Sequence, residues 1–253
     1  MNKHDCNPTI RALRERIARL EGHLVPGRKM LPFGIPPLDH RLPGGGLALG
    51  CLHEVADGGN GTVDGAAAAC FVAGIAARIP GKVLWCVTQQ DLFAPGLEQA
   101  GLSPDRVIHV EAGDEKSILA CMEEGLRHGG LGVVVADIAR LPMTASRRLH
   151  LAAKESGTTA LALRRWRRPA DASDFGQPTA AMTRWRVTAL PSRPLPVPGV
   201  GRAHWRVELV RARAGESFEI ELEACDETGH LGLPAELAGG SVAPDSWRHG
   251  ATA

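Results

Sequence analysis

The residues best placed to do chemistry lie between Asp57 and Gly65. The run Asp57-Gly58-Gly59-Asn60-Gly61-Thr62-Val63-Asp64-Gly65 sits between a candidate short strand (Cys51–Val55) and a candidate apolar helix (about Ala66–Arg78). Strand, glycine-rich loop and helix, in that order, are the parts of a phosphate-binding βα unit. A working loop of this kind reads G-x-x-x-x-G-K-[ST]. Its backbone N–H groups cradle the phosphates, its lysine neutralises them and its hydroxyl holds Mg²⁺. Here Gly58, Gly59, Gly61, Thr62 and Gly65 keep the small-residue character, but the run has no Lys or Arg and holds two acids. A triphosphate would meet negative charge where it needs positive. The expectation is a degenerate loop that closes the fold, with no competent ATP hydrolysis and no resident cofactor.

Two further positions bear on that chemistry. Asp137 follows the apolar run Leu131–Ala136, where a Mg²⁺-orienting carboxylate would sit; the plainer reading is a helix cap. At the end of the candidate strand Lys82–Thr88, where a water-activating Glu would be needed, the residues are Thr88-Gln89-Gln90, and glutamine is no general base. Asp91 stands nearby. The ten histidines and six cysteines show no metal-ligand spacing and no C-x-x-C pair, so no metal is expected, and a reduced, cytoplasmic chain is the simplest reading. The longest strongly apolar run, about Ala66–Ala77, falls short of the roughly 20 residues a membrane helix needs, so no membrane association is expected.

Charge is unevenly placed although the formal net charge is only +1. Residues 1–163 balance. Residues 164–213 hold eleven Arg against three acids, and residues 214–253 one Arg against eight acids. Within the basic block, arginines flank tryptophans at Arg165-Trp166-Arg167 and Arg184-Trp185-Arg186. Arginine beside tryptophan suits single-stranded nucleic acid, since one meets phosphate and the other stacks on bases. Arg164, Arg165, Trp166, Arg167, Arg168, Arg184 and Arg186 are therefore candidates for contact with DNA or with an acidic partner surface. Plain solvated strands, with Trp185 and Trp205 facing inward, explain the same pattern.

These residues need elements to hold them. Strand-like and helix-like segments alternate from Cys51 to Leu163: strands at Lys82–Thr88, Arg106–Val110, Leu131–Ala136 and Thr158–Leu163, and helices at Phe93–Gly101, from a cap at Asp114 to Gly129-Gly130, and at Ala145–Ser156. That alternation predicts an α/β fold, with a mostly parallel twisted sheet covered by helices on both faces. Trp205, Val207 and Leu209, then Phe218, Ile220 and Leu222, alternate with charged residues and predict a C-terminal antiparallel hairpin. Ahead of the core, Ile10, Leu13, Ile17, Leu20 and Leu24 share one face of an N-terminal amphipathic helix. It either packs on its own domain or docks on a partner. The expected division is a helical arm at 1–28, a core at 29–232 and a tail at 233–253.

With these residues in place, the chain resembles RecA-type cores over about residues 30–230. The entry Leu42-Pro43-Gly44-Gly45-Gly46-Leu47, the stretch Phe93-Ala94-Pro95-Gly96-Leu97-Glu98-Gln99-Ala100-Gly101-Leu102 and the start of a second DNA-binding loop at Asp174-Phe175-Gly176-Gln177-Pro178 carry the likeness. The runs Met143-Thr144-Ala145-Ser146-Arg147-Arg148-Leu149 and Leu163-Arg164-Arg165-Trp166-Arg167-Arg168 resemble the ImuA family of SOS mutagenesis proteins. That resemblance implies a non-catalytic adaptor in error-prone translesion synthesis. Its partners would be an ImuB-type polymerase-like protein and an error-prone replicative-type DNA polymerase, with RecA and single-stranded DNA as further candidates and self-assembly open. Two other readings stay open: a SulA-like inhibitor of cell division that binds FtsZ, and an ATPase whose missing lysine is replaced by Arg164 or Arg165 reaching into the pocket.

Overall fold

The structure, a computed structural model, describes residues 28–166, 169–192, 199, 201–213 and 215–234. The expected N-terminal helix with Ile10, Leu13, Ile17, Leu20 and Leu24 lies outside these residues. So do Arg167, Arg168 and most of the expected tail.

Ten strands and five α-helices follow one another among the described residues. They are β1 (Met30–Leu31), α1 (Pro36–Asp39), β2 (Leu47–Ala48), β3 (Leu52–Asp57), α2 (Gly61–Ala77), β4 (Val83–Val87), α3 (Ala94–Gln99), β5 (Val107–Glu111), α4 (Glu115–His128), β6 (Val133–Asp137), α5 (Met143–Ser156), β7 (Thr159–Arg164), β8 (Thr183–Leu190), β9 (His204–Ala212) and β10 (Phe218–Glu223). Eight strands form one sheet in the order β10-β9-β8-β3-β7-β6-β4-β5. From β8 to β5 the pairing is parallel, and β8, β9 and β10 form an antiparallel meander. This is a RecA-like α/β core with the hairpin at its C-terminal edge.

Strand alternation divides the core into two layers. Val55, Val83, Trp85, Val135, Leu161, Leu163, Trp185 and Val207 face α2 and α3. Leu52, Cys86, Val134, Ala136, Ala160 and Ala162 face α4 and α5. Helix α2 is apolar on nearly every side, and its alanines let it lie close to the sheet while Phe71 packs among Phe33, Trp185 and Trp205. Full burial of a side chain such as Phe71 or Val72 contributes about 1.5–3 kcal/mol. Helix ends follow their residue types. Asp114 caps α4 by accepting the Ser117 N–H at 2.9 Å, and Gly129 and Gly157 end α4 and α5 in the left-handed conformation that glycine adopts without strain.

Three element boundaries differ from expectation where they matter. Strand β3 runs on to Asp57 and β7 on to Arg164, because both ladders continue. Helix α2 begins at Gly61, not Ala66, which leaves only Gly58–Asn60 as loop. Gly61 has φ +60°, and the Asp64 carboxylate reaches back to the Asn60 N–H at 2.9 Å, closing the first turn.

Candidate functional site

Ligands of open α/β sheets gather beyond the C-terminal ends of the strands, where the chain order reverses. A cleft of about 770 Å³ lies there, past the ends of β3, β4 and β6. Its walls include Thr62 and Gly65 of α2, Asp57, Asp91, Glu115, Asp137, Arg165 and Trp166. Phe93 stands at its lining with 73% of its surface exposed.

The chain's own acids occupy the amides of the glycine-rich segment. Asp57 Oδ1 accepts the Gly59 N–H at 2.9 Å, and Asp57 Oδ2 accepts the Trp166 N–H at 2.9 Å. Asp64 Oδ2 takes the Asn60 N–H, and Asp64 Oδ1 takes the Ala189 N–H of β8 at 2.9 Å. Both carboxylates are buried. Burial pushes the Asp57 carboxyl up, while the two amide bonds pull it back. Gly58 is wedged so closely that a Cβ there would overlap the Asp64 carboxylate and lie 2.9 Å from Thr188 Cβ. Thus Gly58, Gly59, Gly61, Thr62 and Gly65 remain together, but the first two line a segment tied down by carboxylates.

Opposite this segment a cation does enter the cleft. Arg165, just past β7, donates through Nε to Asp137 Oδ2 at 2.8 Å and through Nη2 to Asp91 Oδ1 at 2.6 Å. Its stem passes within 3.4 Å of where a Gly65 Cβ would stand. Burial works against its charge, but Asp137 and Asp91 more than offset that and hold the guanidinium above its ordinary pKa. The Asp137 carboxylate, which the sequence offered either as a metal-orienting group or as a helix cap, is an ion-pair partner of Arg165. Among the described residues that line the cleft, four carboxylates (Asp57, Asp91, Glu115, Asp137) stand against one arginine.

The rest of the arginine block is mostly inside the protein. Arg164 is fully buried and is corrected from surface cation to core residue. It shares a sheet face with Ala160 and Ala162 by alternation. Its Nη1 donates to buried Glu54 Oε2 at 2.8 Å, and its Nη2 donates to Asp174 Oδ2 at 2.6 Å. Arg184, adjacent to Glu54 in the β3–β8 register, is 5% exposed, with its Nε 3.3 Å from Glu54 Oε1. The Thr179 hydroxyl also donates to Glu54. Phe175 covers this cluster, its ring centroid 4.5 Å from the Arg184 guanidinium carbon and 5.5 Å from that of Arg186. Arg184 therefore leaves the set of surface cations as well. Trp166 leaves the set of stacking surfaces: it is 7% exposed, packs edge-on to Phe175 and donates Nε1–H to the Ala139 carbonyl at 3.1 Å. Arg186 remains partly exposed and lies 3.7 Å from Glu208. Sequence reading passed over Glu54 and Thr179 because their partners in space are 110 and 125 residues away in the chain, and it placed Asp174 in a loop without its bond to Arg164.

Among the described residues no group of three or more His, Cys, Asp or Glu is placed to hold a metal ion, and no helix is long and apolar enough to cross a membrane. Fold and site together define a class: a RecA-like α/β domain whose phosphate-loop position is tied down by its own carboxylates.

Comparison with known proteins narrows this. Protein ImuA of Caulobacter vibrioides (strain NA1000 / CB15N) is 39% identical over 218 residues, covering 82% of this chain and 88% of that protein, and the sequence from strain ATCC 19089 / CIP 103742 / CB 15 matches to the same extent. The family model described as cell division inhibitor SulA matches residues 78–160. The crystal structure of SulA from Pseudomonas aeruginosa superposes with a TM-score of 0.39 at 22% identity, covering 46% of this chain and 98% of that one. The chain belongs to the ImuA family, RecA-like accessory proteins of SOS mutagenesis that work through contacts with other proteins.

Proposed function

We propose that this chain is a non-catalytic adaptor in damage-induced translesion synthesis, joining an ImuB-type polymerase-like protein to an error-prone replicative-type polymerase. The observation that carries the non-catalytic part is the state of the cleft. The Gly59 and Asn60 amides are held by Asp57 and Asp64, and among the described residues the one cation lining the cleft, Arg165, is committed to Asp137 and Asp91. A triphosphate would have to displace buried carboxylates from hydrogen bonds and then sit beside them, a double electrostatic cost in a low-dielectric site. With Gln89 and Gln90 after β4, no Glu follows that strand to act as a base. The family relation supports the accessory role.

The test pairs genetics with co-purification. In a strain lacking the protein, damage-induced mutation frequency should fall to background while division arrest stays normal. The tagged chain should carry the ImuB-type protein with it. The SulA-family match over residues 78–160 favours one rival, the division inhibitor. Unchanged mutagenesis with loss of the division delay, and recovery of FtsZ in place of the polymerase-like protein, would establish that rival.

A further inference from the structure

The cluster at Arg164 and Arg184 is neutralised, yet a second set of cations is not. It lies at the other end of the sheet from the cleft, where the parallel strands begin. The Arg213 N–H bonds the Met182 carbonyl at 2.9 Å, and its Nη2 bonds the Ala180 carbonyl at 2.8 Å, just ahead of β8. Arg211 lies beside Arg184 in the β8–β9 register, and its side chain is exposed. The Leu49 N–H bonds the Lys29 carbonyl at 2.9 Å, which ties Arg28 and Lys29 to the turn before β3. In that turn Gly50 abuts Gly157, the residue that ends α5. Lys154, exposed on the last turn of α5, is three residues from that contact. Five cations from three separate chain segments therefore converge on one end of the sheet.

Among the described residues none of the five takes part in an ion pair, whereas Arg127, Arg148, Arg164, Arg165, Arg184, Arg186 and Arg202 all do. Glu155 beside Lys154 and Glu216 beyond Arg213 reduce that positive charge. The field shows on His150, which burial first, and then Arg213, Arg28 and Lys154, push down to about 4.

We propose that this end of the sheet is a docking surface for the phosphate backbone of duplex nucleic acid, held by Arg28, Lys29, Lys154, Arg211 and Arg213. The exposed Arg211 fork suits phosphate oxygens, whereas Arg28 has Nη1 buried and Arg213 spends Nη2 on the Ala180 carbonyl, so these two offer only their remaining N–H groups. A single strand needs aromatic faces to stack on, and here every tryptophan among the described residues is buried, while exposed Phe93 stands at the opposite end. A protein interface of useful strength centres on aromatic anchors, and among the described residues no Trp or Phe is exposed at this end. The surface does not depend on the adaptor reading, and it is distinct from the arginine–tryptophan block.

The test is fluorescence anisotropy of the full chain with a labelled 20-base-pair duplex, across salt. Each phosphate contact contributes about −0.9 to the slope of log K against log salt, so five contacts predict a slope of about −4.5, or about 500-fold weaker binding at 200 mM than at 50 mM salt. Lys154→Glu and Arg211→Glu should each weaken binding at 50 mM salt. Together they should reduce the slope to about −2.7, shrinking the same window to about 40-fold. Lys116→Glu, an exposed control on α4, should leave affinity within about twofold of its starting value, by the same per-contact rule. Circular dichroism melting checks that both reversals fold. The proposal falls if the duplex does not bind at 50 mM salt, if Lys116→Glu weakens it as much as Lys154→Glu, or if a 20-nucleotide single strand binds tighter than the duplex. Binding of poly-glutamate without the duplex would overturn it in favour of an acidic protein partner.

Discussion

Replacing Arg164 with methionine separates a core cation from a surface one. Arg164 and Glu54 are both fully buried, and Arg164 also holds Asp174, whose side chain is 27% exposed. Removing one partner of a buried pair typically costs about 3–5 kcal/mol, because the other charge stays buried without compensation. Glu54 keeps Arg184 at 3.3 Å and the Thr179 hydroxyl, and Asp174 can turn to water, so the lower end applies: about 3 kcal/mol. Domains of this kind have about 5–15 kcal/mol in total, so the loss is large but survivable. With a urea m-value of about 2.5 kcal/mol/M, the unfolding midpoint should drop by about 1.2 M. The double variant Arg164→Met/Glu54→Gln should recover part of that, since no carboxylate is then left stranded. Urea unfolding followed by circular dichroism reads both. A midpoint for Arg164→Met within about 0.2 M of the parent would mean that Arg164 faces water, and the buried-cluster account would be wrong.

Three other outcomes follow from the same structure. His53, buried between Thr183 and the Ala48 carbonyl, is pushed down to about 4 by burial, so between pH 6.5 and 4 the unfolded chain binds a proton that the folded chain refuses. Stability should be flat in this term above pH 6.5 and fall below it by about 1.4 kcal/mol per pH unit, and His53→Gln should remove that share of the slope in urea titrations from pH 7 to 5. Gly58→Ala forces a methyl into Asp64 and Thr188 and should lower stability by about 1–3 kcal/mol, seen as a drop in Tm; an unchanged Tm would show that the segment is looser than described. Asp64→Ala strands the Asn60 and Ala189 N–H groups and should cost about 1–3 kcal/mol by the same assay, whereas a stabilised variant would mean that the carboxylate is not bound to them.

The alternation of strands and helices was legible because it is local: periods of two and 3.6, a cap at Asp114 and glycines after α4 and α5 mark the elements where they fall. The parallel order and the two-layer core follow from that alternation. The start of α2 was not legible, because Gly61 and Gly65 argue against helix by propensity, and the Asp64 contact that overrides them is a side-chain geometry. The absence of a phosphate-loop lysine is plain in the sequence; that Asp57 and Asp64 take its amides is not. The arginine block misled most. Adjacent charges look like one surface, but Arg164 ends a strand and turns inward while Arg165 turns into the cleft, each to acids far away in the chain. Period-two alternation carried that signal at Ala160, Ala162 and Arg164, and it is Glu54 and Asp174 that make an inward arginine tolerable.

The most direct test of the central claim is a calorimetric titration of MgATP into the full chain, alone and with the ImuB-type protein, with phosphate release followed in parallel. The account predicts no saturable heat up to about 1 mM nucleotide, the upper end of ordinary enzyme affinities, and no phosphate release. Saturable binding that disappears in Arg165→Ala would contradict it, because Arg165 would then be supplying the charge of the missing lysine and the cleft would be a nucleotide site after all.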